Sequence, residues 1–320
     1  MTSLLRPSIT FKSKVCKQFL RNLSTSGVQN AYKVENLLVI GSGLMGAGIA
    51  QSCAQSQAKF KSIVIQDISE DVLNQAKSKI EANLTRMKQK KPELDVQEIV
   101  SKITFSTTLT PKSTENLLII EAVPEVLSLK QKIFKQLSDT YGKDKSVVLA
   151  TNTSSLSCKD IGKDVKNLDR FAGLHFFSPV PLMKLVEIVK IDNATSDETY
   201  EGLVQFVKDI NKVSVKCKDV PGFIVNRLLV PYMLEAVKML ERGDATAKDI
   251  DTAMKLGAGY PMGPFELADF VGLDVTKFIV DAWVDKGYDF IKPSEMLNEL
   301  IRNKHLGKKT GKGFYDYSKK

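Results

Sequence analysis

The stretch VIGSGLMG, residues 39–46, places Gly41, Gly43 and Gly46 in G-x-G-x-x-G spacing directly behind an apolar β-branched run. A strand, a tight turn and a helix start wrapped around a pyrophosphate require this order of residues. Gly41 allows the turn, Gly43 leaves the backbone open to an approaching phosphate, and Gly46 lets helix and strand pack closely. Leu44 and Met45 fill the remaining loop positions and count with the glycines as candidate cofactor contacts. The helix that begins at Leu44 would offer free N–H groups and a positive dipole end to the phosphates. The next apolar run, IVIQD, ends at Asp67, 21 residues past Gly46. A carboxylate there accepts hydrogen bonds from both ribose hydroxyls and repels a 2′-phosphate, which favours NAD over NADP.

Outward from this motif, strand-like and helix-like segments alternate to about residue 190. NLLVIG, SIVIQD, LLIIEA and SVVLAT read as strands, separated by helices from Leu44, over about 70–91 and over about 127–141. That alternation predicts an α/β fold with a Rossmann-type doubly wound parallel sheet. After Asp219 only helical patterns follow, over about 222–242, 246–256, 263–271, 273–287 and 294–303. Pro221 suits the first turn of the first of these and Gly243 its end. The chain therefore divides near 215–220 into a cofactor-binding domain, residues 34–218, and a smaller all-α domain, residues 219–320. The run FIVNRLLVPYMLEAVKML is apolar beyond what one core face needs, and a homodimer is the simplest partner for it.

The 320 residues carry a net charge of +9, which would raise nucleic acid as a partner, but the excess sits at one end. Residues 1–34 contain no Asp or Glu. Arg6, Lys12, Lys14, Lys17 and Arg21 lie among Ser, Thr and apolar residues, the composition of a mitochondrial presequence over residues 1–24, and RNLST resembles a matrix-protease site. Without those five charges, 41 basic residues face 37 acidic ones, too mild a balance to argue for nucleic acid. Residues 36–58 are uncharged long enough to suggest a membrane span, but four glycines and several Gln and Ser argue for strand, turn and helix. The four cysteines are far apart, with no metal-ligand spacing and no disulfide signature.

A nicotinamide enzyme acting on an alcohol needs a base for the hydroxyl proton, and histidine titrates in the right range. The chain has two. His305 lies in a basic tail that reads as surface. His175 lies in GLHFFSPVPLMKLVEIV, at the end of a strand, where α/β sheets place their ligands. Glu187 interrupts the second apolar run of that stretch. A buried carboxylate needs a partner, and His175 is the economical one. Spacing alone leaves equally open a core histidine bonded to a carbonyl beside a solvent-facing glutamate.

From about residue 34 to 318 the chain resembles the mitochondrial short-chain L-3-hydroxyacyl-CoA dehydrogenases. The stretches that carry the resemblance are VIGSGLMGAGIAQ, NTSSL, RFAGLHFFSPVPLMKLVEIV, DVPGFIVNRLL, GYPMGPFELADFVGLD and GKKTGKGFYDY. It implies NAD-dependent oxidation of an L-3-hydroxyacyl-CoA to a 3-ketoacyl-CoA, a step of fatty-acid β-oxidation in the mitochondrial matrix. His175 matches the family's general base, Glu187 its carboxylate partner, and Ser154 and Asn226 the polar groups that hold the substrate oxygen. Glu125, Lys130, Asn152 and Lys309 match cofactor contacts, though each alone reads as an ordinary surface residue. Lys90, in the basic cluster RMKQKK, matches a lysine on coenzyme A. In two places the chain departs from the family: Ser178 stands for an asparagine on the nicotinamide side, and Asn83 for a serine that contacts CoA. Two other readings remain: a 3-hydroxy-acid dehydrogenase of the gulonate or crystallin-related branch, and a non-catalytic NAD-binding protein.

Overall fold

The computed structural model describes residues 32–288, 291–292 and 294–318; the basic segment 1–24 lies outside them. Eight strands form one sheet: β1 Asn36–Ile40, β2 Ser62–Gln66, β3 Ile103–Ser106, β4 Leu117–Glu121, β5 Val147–Thr151, β6 Phe171–Phe176, β7 Leu185–Lys190 and β8 Val213–Lys218. Their order is β3-β2-β1-β4-β5-β6-β7-β8. β1, β2, β4 and β5 are buried at every position. They read as continuous apolar runs because helices cover both faces of a parallel sheet.

Alternate residues feed two cores. Leu37 and Val39 pack on one face with Ile49 and Cys53 of helix α1 (Leu44–Gln55), Leu73 and Ile80 of α2 (Glu70–Lys88), Ile99 of α3 (Val96–Ser101) and Phe206 of α6 (Asp197–Asp209). Leu38 and Ile40 face the other way, onto Phe134 and Leu137 of α4 (Leu127–Tyr141) and Ile161 of α5 (Cys158–Ile161). Only the β6–β7 pair is antiparallel among these strands. The connection 177–184 is a loop with no crossover helix, so the chain can only return antiparallel.

Four elements go beyond those expected above. β3, mostly half-buried at the sheet edge, is short and rich in Ser and Thr, and α3 has a single turn and a half. β8 is the other edge, and its VSVKCK pattern is mostly exposed. α6 sits between β7 and β8, started by Ser196, whose hydroxyl accepts the Thr199 N–H, with Leu203, Phe206 and Val207 on its buried face.

Beyond β8 the chain is helical: α7 Val225–Glu241, α8 Ala247–Gly257, α9 Pro264–Val271, α10 Leu273–Asp285 and α11 Glu295–Arg302. α7 ends as expected, with Gly243 at φ +73 and the N–H groups of Gly243 and Asp244 on the carbonyls of Leu240 and Met239. Its start differs. Pro221 is not in the first turn, because Gly222 and Phe223 take φ +78 and +51, outside helix geometry, and α7 begins only at Val225. The C-terminal tail returns to this layer. Asp269 accepts from the N–H groups of Phe314 and Tyr315 and the hydroxyl of Tyr317, and Asp251 from the Tyr315 hydroxyl and the N–H groups of Phe265 and Glu266. Both aspartates are 1% exposed.

A Cβ on Gly46 would lie 1.8 Å from the Gly41 carbonyl oxygen, a backbone atom that cannot yield. Gly46→Ala is therefore expected to lower unfolding free energy by about 3 kcal/mol or more, as severe overpacking does, read by urea denaturation.

Candidate active site

The carboxyl ends of β1, β2 and β4 meet where the strand order reverses, the point at which open α/β sheets bind ligands. A cleft of about 840 Å³ opens there, lined by Gly41, Gly43, Leu44, Met45, Asp67 and Val123 among others. Gly41 adopts φ +96, and a Cβ on it would sit 2.7 Å from the Ala122 oxygen. A Cβ on Gly43 would meet nothing within 4 Å, so the backbone here faces open space. No side chain caps α1 and its first turn holds no acid, which leaves its N–H groups available to a phosphate. Asp67 closes the loop: the Ser42 N–H and hydroxyl both donate to its Oδ2 at 2.7 Å, and the Ile68 N–H to its Oδ1 at 2.8 Å. Burial works against ionisation, but these donors outweigh it and hold the carboxyl below its ordinary range. The cap of α2 is Ser69, so Asp67 is not spent on a helix end. Uncapped amides, the free space over Gly43 and an ionised carboxylate at the end of β2 together fit a dinucleotide.

His175 and Glu187 are directly opposed across β6 and β7. Glu187 Oε2 lies 2.6 Å from His175 Nδ1, with the carboxylate fully buried and the histidine 5% exposed. The antiparallel return puts these residues, twelve apart, side by side. A carboxylate at that separation fixes the proton on Nδ1 and leaves the Nε2 lone pair as the acceptor. Glu187 Oε1 accepts from the N–H groups of Ile224 and Val225 at 3.0 and 2.9 Å, at the start of α7. Phe177 and Phe223 place their rings 4.4 and 5.6 Å from the imidazole.

Glu125 organises the loop that follows β5. Its Oε1 accepts from the Thr153 hydroxyl at 2.6 Å, the N–H groups of Ser154 and Ser155 at 2.9 and 3.1 Å, and the Ser155 hydroxyl at 3.1 Å. Burial opposes its ionisation, yet Lys130 and the Thr153 and Ser154 donors hold it below the usual range. The Ser154 hydroxyl stands 3.5 Å from the same oxygen, a weak contact that leaves it free to turn elsewhere. Asn226 Nδ2 donates to the Ser154 carbonyl at 3.3 Å, joining α7 to this loop. Ser154 caps no helix; Ser157 does, for α5.

The surface reading fails for three of the four residues drawn from the resemblance as cofactor contacts. Glu125 is mostly covered. Asn152, 9% exposed, accepts the Phe176 N–H on its Oδ1 at 2.9 Å and so fixes the strand end next to His175. Lys130 is 1% exposed, and its ammonium points at Glu121 Oε1 at 2.6 Å, Glu125 Oε2 at 3.1 Å and the Val123 carbonyl at 3.3 Å. With its donors so engaged it bears on the 153–155 loop through Glu125. Glu121, fully buried, also accepts from the Val123 N–H and the Thr151 hydroxyl. It stands in LLIIEA as Glu187 stands in LVEIV, and the cost of a buried charge would have marked it in the sequence.

The remaining residues lie apart. Lys309 is exposed, with its Nζ 2.6 Å from both oxygens of Asp274 in α10. Asn83 and Lys90 are exposed on the end of α2 and the turn after it, where Arg86 donates to Asn83 Oδ1. Ser178 is exposed in the loop after β6, and its side chain makes no hydrogen bond among the described residues.

Residues 36–220 match the family model described as 3-hydroxyacyl-CoA dehydrogenase, NAD binding domain, and residues 222–317 that of the same family's C-terminal domain. The chain is 48% identical to the mitochondrial hydroxyacyl-coenzyme A dehydrogenase of Rattus norvegicus, over 95% of this chain and 99% of that one. It is 39% identical to a 3-hydroxybutyryl-CoA dehydrogenase of Clostridioides difficile, over 88% and 99% of the two chains. The crystal structure of FadB2 from M. tuberculosis superposes with a TM-score of 0.82 at 34% identity, covering 89% of this chain and all of that one.

Replacing Lys130 by Met would leave Glu121 and Glu125 buried beside each other without their cation. The expected loss is about 3–5 kcal/mol of stability, read by urea denaturation, with weaker NAD binding by titration calorimetry as the 153–155 loop loosens.

Proposed function

The chain belongs to the 3-hydroxyacyl-CoA dehydrogenase family, and from that premise we propose that it interconverts L-3-hydroxyacyl-CoA and 3-ketoacyl-CoA with His175 as the base. It is an NAD-binding oxidoreductase. The observation that carries the mechanistic reading is the buried His175–Glu187 pair at the carboxyl edge of the sheet.

In the oxidative direction His175 Nε2 takes the proton of the 3-hydroxyl as hydride leaves C3. Glu187, 2.6 Å away, stabilises the imidazolium that forms. When bound, NAD supplies the hydride acceptor. The Ser154 hydroxyl and the Asn226 amide are neutral donors suited to the carbonyl oxygens of substrate and product. In reverse, the imidazolium returns its proton to the carbonyl oxygen as hydride arrives at C3.

The Gly41–Gly46 loop holds the pyrophosphate and Asp67 the ribose, with residues 34–218 as the cofactor domain and 219–320 as the substrate and dimerisation domain. Asn83 and Lys90 form an exposed polar rim suited to the CoA phosphates. Exposed Leu228, Leu256, Phe270 and Phe278 on the helical layer supply an apolar face for a second copy. The rat relative is named as mitochondrial; this supports a mitochondrial location here, with residues 1–24 as presequence and the matrix as destination.

Purified chain is expected to oxidise NADH with acetoacetyl-CoA, and absence of turnover would sink the assignment. His175→Gln is expected to fold and bind NAD but to lose roughly two to four decades of kcat. Gly43→Ala should leave the unfolding midpoint unchanged, since its methyl meets nothing within 4 Å, while raising the Kd for NAD in calorimetry by blocking phosphate approach.

A further inference from the structure

We propose that Phe223 is a positioning residue for the His175–Glu187 pair, fixing the plane of the imidazole from the junction between sheet and helical layer. The inference rests on the reading of His175 as the base. Phe223 is 4% exposed and sits at φ +51, a left-handed conformation that a large aromatic residue rarely adopts. Gly222 before it is at φ +78, and a Cβ there would strike Trp283 Cζ2 at 2.3 Å and the Arg227 nitrogen at 2.8 Å. Such a turn persists only where its surroundings over-determine it, and backbone of this kind gathers at functional sites.

The consequence of the turn is local. It sets the Phe223 ring 5.6 Å from the imidazole, inclined at 55°. It also delivers the next two amides, of Ile224 and Val225, to Glu187 Oε1. One segment therefore touches both members of the pair, and the residue after those amides, Asn226, reaches the Ser154 loop. The ring offers no hydrogen-bond acceptor, so Nδ1 keeps Glu187 as its partner. A residue that only filled space would need bulk; one that sets the imidazole plane needs a flat ring.

Phe223→Leu stays apolar with a modest loss of volume and removes the plane, while Phe223→Tyr keeps both the volume and the plane. With acetoacetyl-CoA and NADH, Phe223→Leu is expected to lower kcat roughly tenfold to a hundredfold, the scale of a small misplacement of a reacting group. Both KM values should stay within about threefold, and Phe223→Tyr should recover most of the rate. A second readout does not depend on turnover. The chain has two histidines, so the Nδ1 proton of His175 can be assigned by NMR against His305→Gln. It should shift or broaden in Phe223→Leu and stay in place in Phe223→Tyr. An unchanged kcat and an unmoved proton in Phe223→Leu, or equal losses in the Leu and Tyr variants, would overturn the proposal. His175→Gln measured in parallel separates the two readings: near-full rate there removes the base itself, whereas loss there beside a fully active Phe223→Leu removes only the role of Phe223.

Discussion

Both oxygens of one carboxylate are committed in this molecule, and the rest of the site follows from that commitment. Glu187 gives Oε2 to the imidazole and Oε1 to two amides at the head of α7. Buried among apolar neighbours, its charge would be costly alone; here three donors surround it. Since those donors come from β6 and from the segment that opens α7, the charge that orients the imidazole also ties the helical layer to the sheet. Chemistry and domain architecture are thus tied at a single side chain.

A second ionic centre lies beneath the loop that follows β5. Lys130 sits between Glu121 and Glu125, and Glu125 in turn gathers the hydroxyls and amides of residues 153–155. The loop has no regular backbone partner of its own, so a buried carboxylate supplies the acceptors that a strand or helix would otherwise give. Asp67 does the same for the glycine loop through Ser42. Three acidic residues, each neutralised by specific donors, hold the irregular segments that a binding cleft requires.

Much of this was legible before any coordinates. The glycine spacing and Asp67 pointed to the loop between β1 and α1, and strand–helix alternation announced the sheet, because buried parallel strands write themselves as unbroken apolar runs. The cost of burying a carboxylate suggested Glu187 as the partner of His175 but left a solvent-facing glutamate equally open, because the sequence does not say that β7 returns antiparallel and so sets the two face to face. Edge strands β3 and β8 escaped notice because one exposed side dilutes their pattern. Pro221 misled because it resembles a helix start, while the positive φ of the two residues behind it delays that start by three positions, from 222 to Val225. Lys130 and Asn152 passed for surface residues: a lysine or asparagine reads as solvated unless its buried partners are known, and only the fold brings Glu121 and the β6 backbone to them.

The tail that folds back over the helical layer bears on how the chain is made. Asp251 and Asp269 are inside the layer, and their acceptors are filled in part by Phe314, Tyr315 and Tyr317. Before a nascent chain includes those residues, Asp251 has, among the described residues, only the amides of Phe265 and Glu266, and Asp269 lacks the donors it takes from Phe314, Tyr315 and Tyr317. The strands of the sheet end at Lys218, and what Glu187 still needs, the amides of Ile224 and Val225, follows within a few residues. The helical half therefore completes its buried hydrogen bonds only with its last strip of sequence.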